Sequence, residues 1–273
     1  MLPTLYHYTR LGTLQKIIDS GIIRATHYAS FEDKDELRLG IDRVLEAVRK
    51  HPVEDRDIRY RDFLTQGIEG FREGVLKVYV LSLTEIQDSP YHWENYGDVA
   101  IGFSGDMIQK GFLVSMKHRF PGADENELRP EPAHWTICRY DGTFDLPAFV
   151  VDRFFNPMNY PTMFRHGPPS DRWLTPLLAV SVYQAICSIK RPKFQPEVEK
   201  RYMRINPDER EYPAKVEGKR RFIEMRLDPK TYIQEIWAGP DCDRAACEAL
   251  VDQWNRDGKL NCGVKRSSIT PRS

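Results

Sequence analysis

The 273-residue sequence predicts an α+β fold, a split and largely antiparallel sheet with helices packed on it. Three observations carry this. Helical periodicity clusters in the first third of the chain, and strand patterns dominate from Leu76 onward. The strict strand–helix alternation of a doubly wound parallel sheet is missing.

The opening is the sharpest local pattern. A strand over 2–8 precedes Thr9 as N-cap of a helix whose apolar positions are Leu11, Leu14, Ile17 and Ile18. Gly21 follows as the left-handed residue that ends it, and a second strand runs over 22–26. Helical periodicity returns over 33–51 through Leu37, Ile41, Val44, Leu45 and Val48, and again near 61–70 through Phe63, Leu64 and Ile68. These helices read as an insertion at about 33–73 within a single domain spanning 1–273. Residues 76–84, rich in β-branched and aromatic side chains, predict a central strand. A polar loop over 85–96 leads to strands at 98–103, 112–118 and 135–140, with a loop over 121–132. Residues 156–169, dense in Pro, Met and aromatics, read as an ordered loop. The most apolar helix spans 172–189. Strands follow at 197–205, 221–227 and 232–238, then a helix capped by Asp241 and a last strand over 260–265. No repeat, low-complexity tract or linker interrupts the pattern.

Composition narrows the function classes. A hydrophobic content of 41% with 11% aromatics is globular usage and excludes a disordered chain. The 40 basic and 40 acidic residues cancel, so the basic surplus that accompanies non-specific nucleic-acid binding is absent. The clusters Lys190-Arg191-Pro192-Lys193 and Lys219-Arg220-Arg221 read as solvated faces. Five cysteines without a C-x-x-C pair fit thiols of a reducing compartment. The N-terminus has neither the basic nor the apolar region of a signal peptide, and no apolar run approaches the roughly 20 residues that span a bilayer. The expectation is a cytoplasmic protein. Phosphate-loop, dinucleotide-loop and H-E-x-x-H motifs are missing, and Gly102-Phe103-Ser104-Gly105 fails the nucleophile-elbow pattern because Asp106 stands where its last glycine belongs.

Three segments carry more chemistry than packing asks for. Tyr6-His7-Tyr8-Thr9 places a histidine at a strand end, where it can donate and accept at one spot; alone, a structural histidine explains it as well. In Tyr79-Val80-Leu81-Ser82-Leu83-Thr84-Glu85, Ser82 and Thr84 share a strand face where Val or Ile would be usual. Trp93 and Tyr96 follow on one side of a helical turn. In Glu197-Val198-Glu199-Lys200-Arg201, two carboxylates and an arginine share a face of a predicted strand. That pattern also describes an exposed sheet edge.

Taken together, these motifs resemble a bacterial domain family that opens with Leu-Tyr-His-Tyr-Thr. The shared run comprises Leu5-Tyr6-His7-Tyr8-Thr9, the Phe31-Glu32-Asp33 turn, Leu81-Ser82-Leu83-Thr84-Glu85, Trp93-x-x-Tyr96 before Ile101-Gly102-Phe103, Glu197-x-Glu199-x-Arg201 and Ile236-Trp237-Ala238-Gly239-Pro240. It covers roughly residues 2–240 and is weak between Phe112 and Ile189. That family is similar in turn to the ADP-ribosyltransferase superfamily. The resemblance implies an ADP-ribosyltransferase-like fold, NAD as substrate and no metal. It implies that His7 contacts an NAD ribose, that Ser82 and Thr84 line the site, and that Glu199 carries the chemistry while Glu197 serves the acceptor. The aromatic that clamps nicotinamide is not fixed by it; Trp93 and Tyr96 are the candidates, with Tyr8 as the substitute. One departure stands out: the opening residue is His where the Ser-x-Ser/Thr class usually has Arg. The implied activity is ADP-ribosyl transfer to a protein or nucleic acid, of the kind found in toxins and phage-defence effectors that are held by a neutralising partner. NAD hydrolysis, and a binding module without chemistry, are the alternatives.

Overall fold

The computed structural model describes residues 2–31, 33, 35–52, 58–70, 77–115, 128–131, 133–143, 145–150, 174–205 and 212–270. Its strands are β1 Leu5–Thr9, β2 Ile22–His27, β3 Val78–Thr84, β4 Val99–Phe103, β5 Phe112–Ser115, β6 Leu128–Glu131, β7 His134–Ile137, β8 Arg139–Tyr140, β9 Ile189–Lys190, β10 Glu199–Ile205, β11 Lys215–Glu217, β12 Arg220–Arg226, β13 Ile233–Ala238 and β14 Val264–Arg266. The helices are α1 Leu11–Ser20, α2 Asp35–Lys50, α3 Ile58–Gly70, α4 Pro90–Tyr96, α5 Gly105–Lys110, α6 Leu146–Val150, α7 Leu174–Ile186, α8 Pro229–Tyr232 and α9 Arg244–Arg256.

Among the described residues, twelve strands join one open sheet in which only the β13–β14 pair is parallel. The α+β class and the largely antiparallel sheet are as the sequence predicts. β3 is its centre. One edge of β3 pairs along its full length with β10, from Glu199 opposite Thr84 to Ile205 opposite Val78. The other edge is shared: β2 holds it at Tyr79 and Val80, and β1 only at Thr84, opposite Tyr6. Two arms of the sheet, β14-β13-β4-β1 and β6-β5-β12-β2, therefore meet β3 at different points and leave a fork beside Leu81–Leu83.

Alternation along β3 divides the interior. Tyr79, Leu81 and Leu83 join the largest apolar cluster, with α1 (Leu14, Ile17, Ile18), α9 (Cys247, Val251, Trp254) and β12 (Ile223, Met225). Val78 and Val80 face the other way, against Tyr183 and Cys187 at the end of α7 and against Met203 of β10. Behind them α2, α3 and α7 bury Val44, Val48, Leu64, Ile68 and Ile186 in a cluster of their own. Hydrophobic burial at about 25 cal/mol per Å² sustains both layers.

Several predicted boundaries move. Thr9 is the last residue of β1, and Arg10 takes the cap position of α1 without a side-chain bond. The free amide of Leu11 is instead satisfied from across the fold, by Asp98 Oδ1 at 2.9 Å. Gly21 is left-handed at φ 64°, as its position after the helix predicts. The polar stretch read as a loop over 85–96 contains α4, with Pro90 in its first turn and Ser89 accepting from the His92 amide. Gly97 ends it at φ 146°, where a Cβ would lie 2.2 Å from the Thr9 carbonyl; glycine alone lets α4 sit this close to β1. β6 occupies the end of the predicted loop over 121–132, and the predicted strand over 135–140 is two strands, β7 and β8. Asp243, not Asp241, caps α9 by accepting from the Ala246 amide. Glu32, Trp173, the 156–169 loop and residues 116–118 of a predicted strand lie outside the described residues.

Candidate functional site

The fork in the sheet opens onto a cavity of about 540 Å³, within the roughly 300–1,000 Å³ usual for small-molecule sites. His7, Tyr8, Ser82, Thr84, Tyr96, Glu197 and Glu199 all line it. They come from β1, β3, α4, the 3₁₀ turn before β10 and the start of β10, segments that are mostly far apart in sequence. Of the eight residues the motifs single out, only Trp93 is elsewhere.

His7 reaches the cavity through the fork. Strand alternation sets its Cβ on the side opposite Tyr6 and Tyr8, but its Nδ1 lies 3.2 Å from the Ser82 carbonyl oxygen of the neighbouring strand. A carbonyl only accepts, so Nδ1 carries the proton and Nε2 is left as an acceptor. Burial holds the ring's pKa below its ordinary value, so it is neutral at pH 7. The two β3 hydroxyls differ. Ser82 is exposed, whereas Thr84 Oγ1 is committed within the fold: it donates to the Val198 carbonyl at 3.3 Å and accepts from the Ile86 amide at 3.2 Å.

The two glutamates do not share a continuous strand. Glu197 ends a 3₁₀ turn over Pro192–Glu197, and β10 begins at Glu199. Between them Val198 adopts the left-handed conformation at φ 42°, ψ 50°, a strained state for a β-branched residue. Despite the break, both carboxylates converge on the Lys190 ammonium, at 2.5 Å for Glu197 and 2.6 Å for Glu199. Their surroundings then diverge. Glu199 also accepts from Arg201 Nε at 3.0 Å, from Arg201 Nη2 at 3.1 Å and from the Cys138 thiol at 3.5 Å. Four donors therefore hold Glu199, three of them on Oε2 and one on Oε1. Burial works against its ionisation, but Arg201 and Lys190 prevail and hold it well below the ordinary carboxylate range. Glu197 accepts from the Tyr96 hydroxyl at 2.5 Å and, longer, from Tyr91 at 3.4 Å. Burial pushes its pKa up, against the pull of Lys190.

Trp93 belongs to the packing behind the site. It is buried with Tyr6, Tyr8 and Ala100, its ring set edge-on to Tyr8 and its indole N–H donating to Asp88 at 2.7 Å. The turn of α4 that presents Tyr96 to the cavity turns Trp93 onto β1, where Gly239 leaves room for its ring. Tyr96, 43% exposed, is the aromatic at the mouth.

Three cavity residues escaped the sequence reading. Lys190 belongs to a basic run whose composition predicts a solvated face, yet it is 5% exposed. Glu36, in the first turn of α2, resembled an ordinary helix-start acid, yet it is buried against Arg201. His92 sat between two conspicuous aromatics; it is buried and stacked on Tyr8 at 4.5 Å. No local signal marks any of them: Glu36 and His92 meet partners distant in sequence, and Lys190 meets Glu197 and Glu199 only because the 3₁₀ turn folds the chain back on it. Among the described residues, no group of three His, Cys, Asp or Glu side chains is placed to hold a metal ion, the five cysteines are unpaired, and no helix is long and apolar enough to cross a membrane.

No family model, curated protein or solved structure matches this chain.

Proposed function

We propose that the protein is an NAD-dependent ADP-ribosyltransferase on an ADP-ribosyltransferase-like fold, with its site in the cavity at the fork of the sheet. The observation that carries this reading is the convergence of His7, Ser82, Tyr96, Glu197 and Glu199, from five separate elements, on that one cavity. NAD supplies the bond to be broken: the nicotinamide nitrogen leaves with the electron pair, and an acceptor nucleophile that loses a proton takes the ribosyl carbon. The cation that develops on the ribose is the charge the site must stabilise, as in glycoside hydrolysis.

In this reading His7 Nε2 accepts a hydrogen bond from a ribose hydroxyl, and the Ser82 hydroxyl supplies a second polar contact at the same wall. The Tyr96 ring flanks nicotinamide at the mouth. The order of motifs assigns the chemistry to Glu199; the geometry favours a division of labour. Glu199, held by Arg201, Lys190 and Cys138, is a fixed charge that organises the cluster. Glu197 keeps an acceptor position for the ribose and is the carboxylate that meets the ligand. Removing an electrostatic group of this kind typically lowers the rate about 100- to 1,000-fold. The test is nicotinamide release from NAD by the purified protein, with and without candidate protein and nucleic-acid acceptors. Release that requires an acceptor is transfer, release into water alone is NAD hydrolysis, and no release with any acceptor refutes the reading.

A further inference from the structure

The buried end of the cavity does not balance its charges. Glu36, Glu197 and Glu199 stand against Lys190 and Arg201, and each of the five is 5% exposed or less. Three carboxylates face two cations where water is scarce and charge is expensive to leave uncompensated.

Glu36 is the odd member. It belongs to neither the Glu-x-Glu pair nor β10, but reaches in from α2, with Oε1 2.5 Å from Arg201 Nη2 and Oε2 3.8 Å from Lys190 Nζ. Without it the other two carboxylates would be matched by the two cations. Aromatic rings line the same cavity; His92 stacks on Tyr8 and Arg201 lies over Phe31, which leaves the half-exposed Tyr96 ring to attract an organic cation. A second observation points to a ligand. His92, 4% exposed, is part of the wall, and its Nδ1 has no hydrogen-bond partner. A buried polar atom left unpaired is costly; Nδ1 is sealed off as the ring stands, so a ligand's polar group relieves it once the ring turns toward the cavity.

We propose that Glu36 determines specificity: it makes the cavity selective for an organic cation, a pyridinium-type ring bearing a polar substituent, over the neutral form of the same ring. The choice of pyridinium rests on the NAD reading above; the preference for a cation rests on the charge count and the Tyr96 ring. Glu36 acts here through Arg201 and Lys190, by leaving the cluster one negative charge in excess.

Calorimetric titration of the full chain with two small probes tests this: 1-methylnicotinamide, a pyridinium cation, and nicotinamide, its neutral counterpart. The wild type should bind the cation about tenfold more tightly, the scale a single nearby charge gives in a partly screened site. Glu36→Gln should lose that preference, with the affinity for neutral nicotinamide changed less than about twofold. Glu36→Gln/Arg201→Gln, which restores the excess by removing one charge of each sign, should regain it, a result a merely structural role for Glu36 would not produce. If neither variant folds, the comparison of the two probes on the wild type still decides the matter. Equal affinity of the wild type for both probes, or an unchanged preference in Glu36→Gln, overturns the proposal. A cation preference without NAD cleavage would sink the enzymatic reading alone, and cleavage without the preference would sink this one alone.

Discussion

The two faces of β3 and β10 are built from the same strands and obey different rules. On one face Tyr79, Leu81, Leu83 and Tyr202 merge into the main apolar cluster. On the other, Val78, Val80 and Met203 give way within a few residues to Ser82, Thr84, Glu199 and Arg201. The first face is held by area and fit, so side chains of similar volume can replace one another at modest cost. The second is held by pairing. Each buried charge is stable only while its partners remain, and the surrounding groups are placed to serve that network. A strand that keeps its geometry while one face changes chemistry along its length marks where this fold gives up packing for a site.

Breaking the polar face should have the largest effect on stability. Arg201 is 1% exposed, donates to Glu199 and Glu36, and meets the Cys187 carbonyl at 2.6 Å. Arg201→Met leaves two carboxylates without that partner and should destabilise the protein by about 3–5 kcal/mol, read from denaturant melts. Breaking the apolar face should come next: Leu81→Ala, at a site 2% exposed, should remove about 2–5 kcal/mol. The affinity of the folded protein for pyridinium probes should stay unchanged. If Leu81→Ala altered that affinity as strongly as Arg201→Met, the separation of the two faces would fail.

Acid sharpens the comparison, because only the polar face titrates. Glu199 is held below its ordinary carboxylate value of 4.5, so the unfolded chain takes up this proton first. Its contribution to stability is full above that value and fades as the pH falls toward the lower pKa of the folded state. Glu199→Gln should therefore flatten the acid limb of a melting-temperature profile below pH 4.5. A parallel profile for wild type and variant would count against the ion-pair account. The smallest effect belongs to neither face: the exposed Arg244–Glu248 pair should contribute no more than about 0.5 kcal/mol, visible as an almost unchanged melt for Arg244→Ala.

The sequence made one face and the opening of the chain legible, and hid the other face. β1, α1, Gly21 and β2 follow from local signals: periodicity, a glycine after the last turn, β-branched residues. The apolar helices and central strands follow for the same reason. His7, Ser82 and Tyr96 could be picked out because their residue types sit oddly against the periodicity around them. What the sequence concealed depends mostly on distant partners. Asp98 caps α1 from 87 residues away, and Glu36 reads as a surface charge because its partner Arg201 is far along the chain; Lys190 is hidden by a turn, since the 3₁₀ segment that brings Glu197 and Glu199 back to it shows no period. The sequence shows one helical turn at Trp93 and Tyr96 but not the helix α4, because seven residues are too few to establish a period. Trp93, expected in the cavity, fills the space behind it, since its size and indole N–H suit either role equally.

The most direct test of the central claim is nicotinamide release from NAD by wild type, Glu197→Gln and Glu199→Gln, with melts of each protein alongside. Wild type should release nicotinamide. Glu197→Gln should lose about 100- to 1,000-fold in rate with its melting behaviour nearly intact, whereas Glu199→Gln should lose stability as well, because Arg201 and Lys190 lose their shared partner. Nicotinamide release by Glu197→Gln at the wild-type rate, or none by the wild type with any acceptor, would contradict the account.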